Sequence, residues 1–424
     1  MKIAIVGSGI SGLVSAWSLA RRHEIVLFEA DRRLGGHTHT VAIDLDGRRF
    51  DVDTGFIVFN ERTYPNFQRI LSELDVPSRP TVMSFSYRCE RTGREYSGSG
   101  LDGFFAQRRN LLRPRHLSML RDILRFQREA PDLLEIDGPE ITLGDYLDTR
   151  GYSPAFLDEH LLPMGGAIWS STRGQLRDFP AQAFVRFFAN HGLLQLRDRP
   201  RWRTIPGGSR RYVDAMLRRL SGKVRVGCAI QRIRRRPDGV WLDSSTGPQG
   251  PFDRVLVATH SDQALRMLES PSEDERRVLG AIRYQPNEAV LHTDASLLPR
   301  TRRARAAWNY HGLPGPEAQP AVTYWMNALQ SIEAPVEICV TLNRSEAIDP
   351  RRILRRIQYS HPVFDGRALE AQRHRSRISG RDRVHFCGAY WRHGFHEDGV
   401  LSALWAIDEI ERAEEVARTT RLAG

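Results

Sequence analysis

The chain has 424 residues, 41% of them hydrophobic and 27% charged, a balance that fits a folded globular protein of two domains and excludes disordered and fibrous classes. No stretch reaches the roughly eighteen consecutive apolar residues of a membrane-crossing helix. The net charge of +11 is almost wholly arginine, since Lys2 and Lys223 are the only lysines, and with no RNP-type aromatic motif or helix-turn-helix pattern no nucleic-acid partner is expected.

The chain opens on KIAIV, residues 2 to 6, a short apolar run of the kind that makes a buried parallel strand, followed at once by GSGISG. The start lacks the layout of a signal peptide, and a cytoplasmic protein is expected. Gly7, Gly9 and Gly12 match GxGxxG, Ser11 lies inside the motif, and LVSAWSLARR has helical apolar spacing. A second strand, EIVLFEA, ends on Glu29, about twenty residues after the first glycine. Each part has a physical role. Gly7 permits a tight turn, Gly9 lets a pyrophosphate approach the backbone, and Gly12 allows close packing of the helix. The helix N-terminus faces phosphate, and the Glu29 carboxylate takes ribose hydroxyls. Together they predict a Rossmann-like dinucleotide-binding domain.

Downstream come Arg33, Gly35 and Gly36 as RxGG, with His37 next, and then FDVDTGF, residues 50 to 56. Residues 104 to 128 interleave seven arginines with Leu117, Leu120, Ile123 and Leu124 at helical spacing. Such a helix either lies on an anionic lipid surface or packs internally with a solvated basic face. LPMGGAIWSS, AWNYHG and AVTYWMNALQ are aromatic-rich and predict a largely apolar cavity. Between them, IPGGSRRYVDAML, VRVGCAIQRI, a Pro237-Asp238-Gly239 turn, VWLDSS and FDRVLVATH predict a helix, a hairpin and a further buried strand. Cys89, Cys228, Cys339 and Cys387 are far apart and form no CxxC, so buried thiols are expected rather than a metal or dithiol centre.

The C-terminal stretch HFCGAYWRHGFHEDGVLSAL sets His393, His396, Glu397 and Asp398 close together. Gly394 breaks the helical face that would aim both imidazoles at one ion, so no metal is expected. Gly399 is expected to open a helix carrying Val400, Leu404, Ile407 and Ile410 on one stripe, with Asp398 at its N-cap.

The sequence resembles, end to end, the superfamily of flavin-containing amine oxidases, phytoene desaturases and protoporphyrinogen oxidases. DVDTGFIVFNERTYPN, AIWSS, VTYWMNALQ, HPVFD and GFHEDGV resemble more closely a branch of NAD/FAD-binding proteins encoded beside, or fused to, cyclopropane-fatty-acid synthase. The resemblance implies an α/β fold. A discontinuous FAD-binding domain (1–75, 205–275 and 375–424) is interleaved with an α+β substrate domain (76–204 and 276–374). It implies non-covalent FAD, with RxGG along the pyrophosphate and ribityl chain and Thr54 and Gly55 beside the flavin ring. Ile230, with Ile233, stands in the VxxI position beside the adenine, and Gly388 near the pyrophosphate. Asp398, Gly399 and Val400 form the helix start facing the flavin N1 and O2 edge, and His396 and Glu397 are the residues for proton handling.

The lysine that amine oxidases hold near flavin N5 has no counterpart: Asn287 and Glu288 occupy that part of YQPNEAVLHTD. The expected activity is hydride transfer between flavin N5 and a lipid acyl chain, by desaturation, reduction or double-bond shift of a fatty acid or phospholipid. Oxidation of a small soluble amine is the alternative. So is a non-catalytic flavin-binding partner of a lipid methyltransferase. Peripheral contact with the inner membrane face through residues 104–128 is also expected on the lipid reading.

Overall fold

In the computed structural model, which describes residues 1–135, 141–195, 197–315 and 318–423, KIAIV and EIVLF become adjacent parallel strands, Lys2–Val6 and Glu24–Phe28. They sit inside a five-stranded parallel sheet ordered Lys223–Arg225, Glu24–Phe28, Lys2–Val6, Arg254–Val257, Val384–Phe386. Every strand of this sheet comes from residues 1–75, 205–275 or 375–424. One face is covered by the helix Ile10–Leu19, which is buried nearly all round because the C-terminal helix crosses it on the outside. Val400, Ile407 and Ile410 of that outer helix join Leu13 and Ile5 in one core, each aliphatic side chain contributing roughly 1.5–3 kcal/mol. The first helix begins three residues earlier than the LVSAWSLARR pattern suggests, because Gly9 is its N-cap.

Aromatic and β-branched alternation builds a second, mostly antiparallel sheet of seven strands. Its order is Ile353–Val363, Arg283–His292, Cys339–Leu342, Ala321–Trp325, Trp308–Gly312, Phe85–Cys89, Glu95–Ser97. All of these strands lie within 76–204 or 276–374. Helices between residues 114 and 190 pack beside it around Trp169, Phe179, Phe184, Phe187 and Phe188, so much of this aromatic content is core. The Pro237-Asp238-Gly239 turn joins the antiparallel strands Ile230–Arg236 and Gly239–Ser244 as its sequence implies. The architecture is thus α/β, with a parallel sheet and an α+β second part.

Two elements differ from expectation. Residues 104–128 are not one helix. They comprise the end of Gly100–Phe104, a 3-10 segment Arg108–Leu112 and the helix Pro114–Glu129, whose start is set by a proline suited to the first turn. The inward face of Pro114–Glu129 is His116, Met119, Asp122 and Phe126, while Leu117 and Leu124 point outward. Polar residues can form that inner face because they are satisfied there: His116 Nε2 bonds the Phe104 carbonyl at 2.9 Å, and Asp122 accepts the Ser153 N–H at 2.8 Å.

The C-terminal helix, His396–Ala423, starts at His396 rather than at Gly399. Asp398 is therefore not its N-cap. It sits in the first turn and accepts the Phe395 N–H at 3.0 Å, the reciprocal half of a capping box.

Candidate active site

The glycine motifs fold into one cradle at the end of the parallel strands. Gly7 donates its N–H to Phe28 O at 2.8 Å, tying the turn to the second strand. A Cβ on Gly12 would lie 1.9 Å from Gly7 O, and one on Gly36 would lie 2.9 Å from the Gly9 Cα. Hence RxGG and GxGxxG touch, with Gly35 N–H donating to Ser8 O at 3.0 Å. Arg33 braces this loop, its guanidinium donating to Gly36 O at 2.8 Å and Thr38 O at 3.0 Å. Gly9 is different: a Cβ there would meet nothing within 4 Å. No side chain caps the helix that begins beside it. An open approach to an uncapped N-terminus of a ten-residue helix fits a phosphate-bearing group.

Glu29 is held in place by its neighbours with one acceptor site open. Its Oε2 accepts the Ser8 N–H at 2.8 Å and the Ser8 hydroxyl at 2.6 Å, and Oε1 accepts the Asp31 N–H at 2.9 Å, which leaves Oε1 a lone pair for a sugar hydroxyl. Ile230 begins its hairpin close to the same strand end, where Cys228 N–H donates to Glu29 O at 2.8 Å. Ser11 Oγ donates to Gly399 O at 2.8 Å, and a Cβ on Gly399 would strike Ile10 at 2.6 Å, so these two residues set the crossing of the first and last helices. Val400 presents its side chain to the core. Gly388 donates its N–H to Ser402 Oγ at 2.9 Å and leaves space filled by Tyr390.

The FDVDTGF turn closes over the same region. A Cβ on Gly55 would lie 2.1 Å from His37 O, and Thr54 Oγ1 lies 3.0 Å from both His39 O and the Tyr359 hydroxyl. Beside it Asp53 is fully buried and accepts from Ser209 N–H and Oγ, Thr40 Oγ1 and Gln330 Nε2. Burial, opposed by these donors, raises its pKa to about 7.

His396 and Glu397 lie apart in role although adjacent in sequence. The His396 ring stacks on Phe56 with centroids 3.6 Å apart, and its Nε2 is 2.8 Å from the Tyr212 hydroxyl. Burial lowers its pKa to about 3, so it is neutral. Glu397 accepts the N–H groups of Asn66 (3.0 Å) and Phe67 (2.9 Å) and the Asn66 side-chain amide (2.7 Å), which caps the helix Pro65–Glu73. His393 packs its ring against Phe187, and among the described residues no cluster of His, Cys, Asp or Glu is arranged to hold a metal.

A second cluster joins the two sheets. His37 stacks on Tyr359 at 5.0 Å and lies 5.4 Å from His361 and 6.3 Å from His260. His361 Nδ1 is 3.1 Å from both Ser170 Oγ and Asn287 Nδ2. Asn343 Nδ2 donates to Asn287 Oδ1 at 2.7 Å, which orients the Asn287 amide so that its NH₂ faces His361. His361 Nδ1 is then the acceptor and Nε2 carries the proton. Burial, then the neighbouring His260, lowers the His361 pKa to about 4. Burial, then His361 and His260, holds His37 well below its ordinary value. His37 Nε2 is buried without a hydrogen-bond partner, an atom that a bound polar group would satisfy. His361 belongs to HPVFD and Ser170 to AIWSS, two motifs visible in the sequence whose meeting is not. Tyr359 carries no sequence signal beyond strand alternation.

Comparison with known proteins agrees with this construction. The Mycobacterium tuberculosis protein AofH, which bears the name flavin-containing monoamine oxidase, is 26% identical over 274 residues, covering 60% of this chain and 56% of its own. The carotenoid phi-ring synthase of Chlorobaculum tepidum is 26% identical over 201 residues, 44% of this chain and 30% of that protein. The match thus spans little more than half the length of AofH and less than a third of that of the carotenoid phi-ring synthase. Among solved structures, putrescine oxidase with putrescine bound superposes with a TM-score of 0.69 at 15% identity, covering 97% of this chain and 99% of that one. A fatty acid isomerase from P. acnes superposes with a TM-score of 0.66 at 15% identity, covering 97% and 98%. At such identities the likeness is one of fold. A family model described as flavin containing amine oxidoreductase matches residues 10–294. With two thirds of its length in that match and a cradle built for a dinucleotide, the chain belongs to the flavin-containing amine oxidoreductase family, whose cofactor is FAD.

Proposed function

We propose that the chain is an FAD-dependent oxidoreductase that moves hydride between the flavin and a carbon of a lipid acyl chain, in desaturation, reduction or double-bond shift. The observation that carries this reading is the neutrality of the cluster at Asn287. Its polar atoms are amides, hydroxyls and imidazoles whose pKa values burial has lowered, and both lysines of the chain lie outside the second sheet. A neutral, dry wall suits an uncharged C–H donor. An ammonium would find no free carboxylate there, since Asp53 and Glu397 are each enclosed by donors.

Bound FAD supplies the two-electron acceptor or donor. The chain's part would be to orient the reacting carbon, to exclude water and to handle a proton. In the oxidative direction FAD bound there would supply the hydride acceptor for one C–H bond, and the proton of the adjacent C–H bond would be left for the chain's own residues to take, giving a double bond. His37, whose buried Nε2 has no hydrogen-bond partner, is the chain's group for that proton. The fold shared with a fatty acid isomerase supports this reading, and the relation to AofH supports an amine substrate as the second one.

The test is anaerobic incubation of FAD-loaded protein with unsaturated and saturated fatty acids and phospholipids, following flavin absorbance and lipid mass, beside an amine panel run in air and scored for peroxide. Lipid products or lipid-dependent bleaching support the proposal. Peroxide from an amine with no lipid change in either direction overturns it in favour of amine oxidation.

A further inference from the structure

Exposed leucines gather in one short part of the chain. Of the thirteen large hydrophobic side chains that stand exposed among the described residues, Leu101, Leu111, Leu112, Leu117 and Leu124 fall within residues 101 to 124, with Leu112 at 87% and Leu101 at 69% exposure. Single exposed leucines are ordinary, but a cluster on one face is not. Leu117 and Leu124 are two helical turns apart on the outward stripe of Pro114–Glu129, and Leu111 and Leu112 stand at its N-terminal end. The scaffold beneath is fixed: His116 packs on Phe104 with ring centroids 4.2 Å apart, Met119 is fully buried, and the Asp122 carboxylate is tied to Ser153.

Beside this ridge lies a cavity of about 370 Å³ lined by Arg91, Thr92, Arg94, Arg113 and Arg115. Arg94 and Arg115 share the Glu159 carboxylate, Arg115 Nε at 2.9 Å. Arg91 and Arg113 have no carboxylate partner among the described residues. Four guanidinium groups therefore face one carboxylate, an excess that suits a phosphate. Arg109 adds a further cation beside Leu111 and Leu112, whereas Arg108 pairs with Asp102 and Arg121 with Asp122.

We propose that this face docks on an anionic phospholipid bilayer. The leucines enter the acyl boundary, the arginine stems spread along it, and the arginine-lined cavity receives a lipid phosphate. Apolar side chains beside guanidinium groups match the two layers of such a surface, acyl chains beneath and phosphates above. The inference is independent of the substrate reading, since it concerns a surface built by residues 91–124.

The experiment is co-sedimentation of the FAD-loaded full chain with vesicles of phosphatidylcholine alone or with roughly one third phosphatidylglycerol. Binding to the anionic vesicles alone is expected. It should weaken about fivefold for each of Arg91→Gln and Arg113→Gln, and about tenfold or more for Leu112→Asp, with flavin content and melting temperature unchanged. Equal binding to both vesicles, or anionic binding indifferent to these substitutions, overturns the proposal. So does displacement by millimolar inorganic phosphate, which marks a site for a soluble anion. A concentration-dependent dimer abolished by Leu112→Asp marks a contact between copies and likewise overturns it.

Discussion

Replacing Gly9 by alanine separates the cradle's architecture from its use. Gly9 has φ −65° and ψ 179°, a conformation alanine adopts freely, and the added Cβ would meet no atom within 4 Å. Removing glycine freedom from the unfolded chain gains about 0.4–1 kcal/mol, while alanine is a poorer N-cap by a similar amount, so the melting temperature of the flavin-free protein should barely move. FAD binding should not survive so well. The methyl occupies the approach to the uncapped N-terminus of Ile10–Leu19. Displacing a phosphate by that much forfeits one charge-assisted hydrogen bond, about 1.5–3 kcal/mol, and part of the helix-end attraction, about 0.3–1 kcal/mol. A total of about 3 kcal/mol corresponds to roughly a hundredfold rise in Kd. The assay is titration of flavin-free protein with FAD by fluorescence quenching, paired with thermal melts of the same samples. A Gly9→Ala protein that binds FAD as tightly as the parent, or that melts far below it without flavin, would refute the reasoning. Gly12→Ala gives the contrast: its Cβ would sit 1.9 Å from Gly7 O, so the loss there is of the fold itself.

Glu397→Ala should lower stability by about 3 kcal/mol, because it strands the Asn66 and Phe67 N–H groups at a buried helix start. Over a chain of 424 residues unfolding as one unit that is a fall of about 3 °C in Tm; unchanged Tm with lost turnover would identify Glu397 as a group of the reaction instead. Asp53 has a pKa raised from 3.8 to about 7 in the fold, so its contribution to stability is fully present below pH 3.8 and lost as pH rises through about 7. The loss is on the order of 4 kcal/mol, and Asp53→Asn should flatten this slope in denaturant melts taken across that range. Asn287→Ala should leave His361 Nδ1 only the Ser170 hydroxyl, which can donate or accept, turning a single Nε2–H tautomer into a mixture readable from imidazole ¹⁵N shifts; an unchanged spectrum would show that Asn287 does not set the proton's place.

How far the chain was readable from its residues depended on whether the informative contacts were local. KIAIV runs straight into a glycine turn, and EIVLF and RVLV are short, largely apolar runs, so their burial in a parallel sheet follows from pattern alone. In residues 104 to 128 apolar periodicity leaves open whether the leucines face a lipid surface or the core. Here a histidine and an aspartate with satisfied hydrogen bonds are inside, and Leu117 and Leu124 are outside. Ser170, Asn287 and His361 meet across separations of 191 and 74 residues, which no spacing rule spans.

The C-terminal lip shows the same limit at closer range. Its acidic pair reads as a set of ligands or as an acid and base, yet each carboxylate goes to a helix start. Glu397 fills the N-terminus of Pro65–Glu73, and Asp398 accepts the Phe395 N–H at the start of its own helix. Three helices that pack together here all need negative charge at their N-termini. The chain provides it for two. The third, Ile10–Leu19, begins at Gly9 with no side chain to cap it and open space before it. With those two carboxylates placed, Ile10–Leu19 is the one of the three whose N-terminus no side chain fills, and the GxGxxG motif sits on that end.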